Sequence, residues 1–170
     1  DKVFTPQGIL GDEPYTGVIT DRRYFDITVE DLLRHSAGFS TGAGDPMFNT
    51  RDLMRQNRWN TPPDSGTLSM YYLSRRLDFA PGQGSSYSNY GYLLLSMIIE
   101  KVTGEQYERW IQENVLQPAG CRDMHIGQNY YELKYPNETR YYPVSNEELV
   151  QSYDNRGNMV ERCYGGNNIP

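Results

Sequence analysis

The sequence predicts a mainly α domain with long loops. Three observations carry that expectation. Leu94, Leu95, Ile98, Ile99 and Val102 recur at the spacing of one helix face. Several segments open on a capping Thr, Ser or Asn and close on Gly or Pro. Between them, 16 Gly, 10 Pro and 15 Tyr interrupt the chain, and little of it alternates as a strand would.

Taken in order, residues 1–26 read as loop. Thr28 then opens a helix: its hydroxyl can satisfy free backbone N–H groups, and Asp31 stands three residues on, as in a capping box. Leu32 and Leu33 are expected to face inward and Gly38 to stop the helix. Residues 40–49 form a second loop. Thr50 to Trp59 is expected to be a short helix with Leu53 and Met54 inward, and Thr67 to Leu77 another with Leu68, Tyr71, Tyr72 and Leu77 on one side. After a turn at Ala80 to Gly84, Ser88 or Asn89 starts the most apolar helix and Gly104 ends it. Glu105 to Leu116 is a second amphipathic stretch, with Tyr107, Trp110, Ile111 and Val115 inward. The tail from 128 to 170 reads as loop, with short strands near Arg140 to Val144 and Met159 to Tyr164.

Composition narrows the partners. The formal net charge is −6 and no basic stripe occurs, which argues against nucleic acid. The longest apolar runs are far too short to cross a bilayer. The chain opens on Asp1 without a signal-peptide pattern, which reads as a processed or excised piece. Cys121 and Cys163 can form a disulfide in an exported protein or stand as two idle thiols. Neither His35 nor His125 stands at a zinc-binding spacing from them, so no metal or cofactor is expected. One domain over 1–170 suits the length.

The chemistry is narrowed first by what these residues lack. A serine activated by a lysine on the next helical turn needs Ser-x-x-Lys. The lysines are Lys2, Lys101 and Lys134; Ile98 and Tyr131 stand three positions before the last two. His-Glu-x-x-His is also missing. What remains is Tyr87-Ser88-Asn89, between a Pro-Gly turn and the start of the most apolar helix. A helix start presents free N–H groups and partial positive charge, which favour a nearby anion or an ionised phenol. Side chains two apart at such a junction can share a cleft. Ordinary capping by Ser or Asn explains the same residues.

From Phe79 to Gly127 the chain resembles class C β-lactamases, D-Ala-D-Ala carboxypeptidases and related esterases. The matching pattern is a Pro-Gly turn, Tyr87-Ser88-Asn89, Gly91-Tyr92, an apolar helix ending in Val102-Thr103-Gly104, and a turn at Pro118 to Cys121. Upstream, Ile27 to Phe39 is similar to the family's Ile-Thr-x-x-x-Leu-Leu-x-His-Thr-Ser-Gly-Leu segment. The best-matching stretch is 27–127, with a loop-rich tail behind it. The resemblance implies the helical lobe of a β-lactamase-like fold, with the α/β lobe of the same protein largely absent from these residues and expected as its partner.

It further implies acyl-enzyme chemistry on a lactam, a D-Ala-D-Ala peptide or an ester. Tyr87 would move the serine's proton and Asn89 would hold the substrate carbonyl and orient the lysine. His35 would be structural, its ring satisfying loop backbone groups. The substrate would be a small molecule or cell-wall peptide, and the location periplasm or cell surface. His125-Ile126-Gly127 spells the family's third motif, but it follows the Pro118 turn directly and is read as coincidence. The alternative is a non-catalytic relative whose Tyr130, Tyr131, Tyr135, Tyr141 and Tyr142 stack on sugars or peptides.

Overall fold

The computed structural model describes residues 1–12, 14–40, 47, 50–59, 62–127, 131–142, 149–151 and 159–161. They belong to two compact units: residues 1–45 with 65–124, and residues 46–64 with 125–170.

In the first unit, the helix opened by Thr28 forms as the spacing predicts. Helix α1 is Val29–Leu33 and carries a complete capping box. The Asp31 N–H donates to the Thr28 hydroxyl at 3.1 Å, and the Thr28 N–H donates back to the Asp31 carboxylate at 3.0 Å. Burial alone would push the Asp31 carboxyl up; hydrogen bonds from Thr28 and from the Ser36 hydroxyl outweigh it and hold the group below its ordinary value. Two expectations fail here. Leu32 is buried but Leu33 is 53% exposed, because successive helical residues point about 100° apart and a one-turn helix has a single inner face. The helix also stops at Leu33, well before Gly38, because His35 turns into the left-handed region at φ +55°.

Residues 1–26, expected as plain loop, contain two 3-10 turns, Thr16–Val18 and Arg22–Asp26. Val3, Phe4, Leu10 and Tyr24 from this stretch are buried. Their burial follows no helix or strand period, so no pattern announces it. Asp21 organises the second turn. Its carboxylate accepts from the Arg23 guanidinium at 2.6 Å and from the backbone N–H groups of Arg23 and distant Leu77, both at 3.1 Å. Arg23 donates in turn to the Leu77 carbonyl at 2.6 Å. The Arg23 hydrogen bonds, helped by those of the two backbone amides and opposed by partial burial, lower the Asp21 carboxyl to about 2.

Helix α3, Ser65–Leu73, begins two residues before the expected Thr67 and ends before Leu77, which is buried in the loop beyond it. Leu68, Tyr72 and Leu73 are buried, whereas Tyr71 is only half-buried. Helix α4, Asn89–Thr103, has the ends its sequence signals. Ser88 caps it by accepting from the Gly91 N–H, and Gly104 closes it at φ +72°. Leu94 and Ile98 form its buried stripe, while Val102, one turn beyond Ile98, is 69% exposed. Helix α5, Tyr107–Ile111, runs into a wider π turn at Gln112–Leu116. Tyr107, Trp110 and Ile111 are half-buried there, and Val115 is exposed because the π turn rotates it off the inner face.

The core of this unit is aromatic. The Tyr72 and Tyr90 rings stack at 3.9 Å with an interplanar angle of 7°, and Phe39 meets Tyr90 edge-on at 4.9 Å. Tyr24 donates to the Tyr72 carbonyl at 2.8 Å, and burial raises the Tyr24 and Tyr90 phenols above their ordinary value. Aromatic rings give a chain with few aliphatic residues enough apolar area to close a core.

In the second unit, helix α2 is Thr50–Asn57, with Leu53 and Met54 buried as its spacing predicts. A hairpin pairs β1, Leu149–Gln151, antiparallel with β2, Met159–Glu161, placing Val150 opposite Val160. The second expected strand is thus present from Met159, while residues 162–164 lie outside the described ones. Residues 140–142 are not in a strand. Arg140 instead reaches over the rings of Tyr131 and Tyr142, at 5.5 and 5.1 Å, and His125 stacks on Tyr135 at 4.4 Å. Cys121, in the first unit, is an exposed free thiol; Cys163, Tyr130 and residues 143–144 lie outside the described residues.

Two outcomes test this account. Because the Asp21 carboxyl is depressed, its contribution is complete above an unfolded-state value of about 4 and disappears as pH falls through about 2. Urea unfolding should show that loss of stability, and an Asp21→Asn variant should lack most of it while being weaker near neutrality by about 2 kcal/mol. Gly38 holds φ +87°, and a Cβ there would strike the Phe79 carbonyl oxygen. Gly38→Ala should cost at least about 2 kcal/mol in the same assay; a neutral result would contradict this packing.

Candidate active site

Tyr87, Ser88 and Asn89 are brought to one place by the loop between α3 and α4. The turn at Ala80 to Gly84 forms, with the Gln83 N–H donating to the Ala80 carbonyl at 3.0 Å and Gly82 at φ +76°. From there the chain runs back along residues 35–38. The Asp78 N–H donates to the Gly38 carbonyl at 2.8 Å, the Gly82 N–H to the Ser36 carbonyl at 3.0 Å, and the Ser86 N–H to the His35 carbonyl at 2.9 Å. The Ser88 N–H then donates to His35 Nδ1 at 3.3 Å. His35 therefore does what the sequence expects of it and satisfies loop backbone.

This attachment decides where each side chain goes. Ser88 is extended and 2% exposed, so its hydroxyl turns inward to cap α4. Tyr87, one residue earlier, projects outward and is 67% exposed. Asn89 begins α4, and the Tyr87 hydroxyl donates to its side-chain carbonyl at 3.0 Å. Capping and pairing thus coexist: Ser88 serves the helix while Tyr87 and Asn89 meet above it. The crevice under this segment, between His35, Gly38, Ser86 and Ser88, is too tight for a water molecule. The pair stands on a packed base and faces outward.

The ring of His35 lies between two tyrosines, 4.7 Å from Tyr87 and 5.0 Å from Tyr92. Tyr92 also donates to the Leu33 carbonyl at 3.3 Å. The sequence pattern does not single out Tyr92 for this cluster. Its signals are the Gly91-Tyr92 pair of the family-like pattern and its place three residues after Asn89, on the same side of a helix. Chemically, the site offers a phenol and a carboxamide in mutual contact at a helix start. The phenol can give or take a proton, and the amide can donate to a carbonyl. Among the described residues, no group of three or more His, Cys, Asp or Glu is arranged to hold a metal ion, and no helix is long and apolar enough to cross a membrane.

Comparison with known proteins identifies the family. The Beta-lactamase family model matches residues 8–168. The chain is 31% identical over 94 residues to the "Putative D-alanyl-D-alanine carboxypeptidase" of Escherichia coli (strain K12), covering 55% of this chain and 20% of that protein. It is 42% identical over 106 residues to Penicillin-binding protein 4* of Bacillus subtilis (strain 168), covering 61% and 22%. The chain thus spans about a fifth of the curated relatives it matches. Among solved structures, a D-stereospecific amidohydrolase from Streptomyces sp. superposes with a TM-score of 0.52 and 28% identity, over 67% of this chain and 35% of that one. With its mainly helical described residues, the chain is a helical lobe of the β-lactamase-like fold and belongs to the Beta-lactamase family of serine hydrolases.

Proposed function

We propose that these residues form the helical side of a hydrolase that acylates a serine with a D-Ala-D-Ala peptide, a lactam or an ester and then hydrolyses the acyl-enzyme. The contact between Tyr87 and Asn89 carries the reading. A phenol held 3.0 Å from a carboxamide, on a packed base and facing outward, suits a site shared with further residues. In this reading the serine and its activating lysine come from outside the 170 residues, which contain no Ser-x-x-Lys. The α/β lobe that would hold them is the natural partner. Work on cell-wall peptides or lactams places the protein outside the cytoplasmic membrane.

The division of labour follows from the groups. In acylation the serine Oγ attacks the substrate carbonyl; as its proton passes to the Tyr87 oxygen, the phenol's own proton passes on to the leaving nitrogen or oxygen, so that Tyr87 ends as it began. Asn89 donates its amide N–H to a substrate carbonyl, while its Oδ1 accepts from Tyr87 and keeps the phenol directed at the site. Hydrolysis repeats the sequence with water in place of the leaving group. Thr28, Asp31, Ser36 and Ser88, close by in the first unit, are occupied in capping and loop attachment.

A fluorescent penicillin separates the chain from the protein it would belong to. The 170-residue chain should acquire no covalent label, and the full-length protein from the source gene should be labelled on a serine outside these residues. An adduct mapped to any serine of this chain would refute the assignment. In the full-length protein, Tyr87→Phe should slow acylation by about a hundredfold or more while leaving the melting temperature nearly unchanged. An unchanged acylation rate would remove Tyr87 as the proton carrier.

A further inference from the structure

His35 does more than satisfy backbone. We infer that it is a positioning residue for Tyr87, fixing the direction of the phenol through two contacts that act on different parts of the segment; the inference rests on the role proposed above for Tyr87. The first contact is to backbone. The N–H groups of Ser86 and Ser88 both donate to His35, one to its carbonyl and one to Nδ1, at 2.9 and 3.3 Å. In an extended stretch, residues two apart present their N–H groups to the same edge. Residue 87 is therefore held at both sides by a single residue, and its Cα–Cβ direction is set before any side-chain contact is made.

The second contact is to the side chain itself. Tyr87 is 67% exposed; Asn89 holds the tip of its side chain, and the His35 ring, 4.7 Å from its own, gives the ring a surface to rest on. The imidazole cannot drift, because Tyr92 packs against it at 5.0 Å and is itself tied to the Leu33 carbonyl. Nδ1 accepts in the plane of the ring while Tyr87 rests against the ring itself, so one imidazole makes both contacts. The backbone of His35 is committed as well. Its φ of +55° is a conformation that His, Asn and Asp adopt more readily than other side chains. A residue here must tolerate that turn, accept a hydrogen bond from Ser88 and present a flat ring to Tyr87. Asparagine can meet the first two requirements and not the third.

That difference makes the proposal testable. In the 170-residue chain, NMR should find Tyr87 in a single χ1 rotamer and the Ser88 amide protected from exchange. His35→Asn should keep the Ser88 protection and average the Tyr87 rotamer; His35→Ala should lose both. If His35→Ala does not fold, His35→Asn decides alone, and a Tyr87 rotamer that stays single in it overturns the proposal.

In the full-length protein, either variant should slow acylation by fluorescent penicillin by roughly ten- to a hundredfold with little change in its non-covalent affinity. In a Tyr87→Phe background, the same substitution should slow it no further, because a positioning residue acts only through the group it positions. Losses that multiply in the double variant would overturn the proposal in favour of a purely structural role. A Tyr87→Phe protein that acylates normally would refute the catalytic reading instead, and the rotamer measurement would still decide whether His35 holds Tyr87.

Discussion

The site depends on one attachment: the loop between α3 and α4 laid along residues 35–38. Four hydrogen bonds make it, from the amides of Asp78, Gly82, Ser86 and Ser88 to the Gly38, Ser36 and His35 carbonyls and to His35 Nδ1. Each also satisfies a backbone group that would otherwise be costly to bury. The attachment joins two parts of the chain about fifty residues apart and sets where α4 begins relative to α1. Without it, the Ser88 cap and the Tyr87–Asn89 contact have no common frame.

The attachment is in turn held from below. Asp31 caps α1 with one carboxylate oxygen and accepts from the Ser36 hydroxyl with the other, so the helix start and the turn after it share one group. Gly38 allows the Phe79 backbone to approach more closely than any side chain would permit. Phe39 then carries the chain into the stacked rings of Tyr72 and Tyr90. Capping, loop attachment and aromatic core thus follow one another within nine residues, which is why a segment with so few aliphatic residues can be rigid. Asp21 plays a similar part at the other end of the unit, tying the turn at Arg22–Asp26 to Leu77.

In the proposed function this packing has a use. A proton carrier must hold its geometry closely, and the entropy of an exposed tyrosine works against that. Two groups bear on the phenol: the His35 ring at 4.7 Å from its own and the Asn89 carboxamide at 3.0 Å from its hydroxyl. The rings of Tyr131, Tyr135 and Tyr142 in the second unit are engaged differently, with Arg140 or His125. That suits tyrosines that cover loops better than tyrosines that wait for a ligand.

By itself, the sequence determined the features that depend on neighbours in the chain. The capping box at Thr28 and Asp31, the Ser88 and Gly104 ends of α4, the inward Leu53 and Met54, and the Tyr87-Ser88-Asn89 motif are all local, because caps and helix faces are set by residues three or four apart. Tertiary structure decided what depends on distant partners. It buried Val3, Phe4, Leu10 and Tyr24 without a period to announce them, left Leu33, Val102 and Val115 exposed, and ended α1 before a left-handed histidine. It also decided the surroundings of Tyr87. Its ring meets that of a histidine more than fifty residues away, and no spacing in the sequence encodes that meeting.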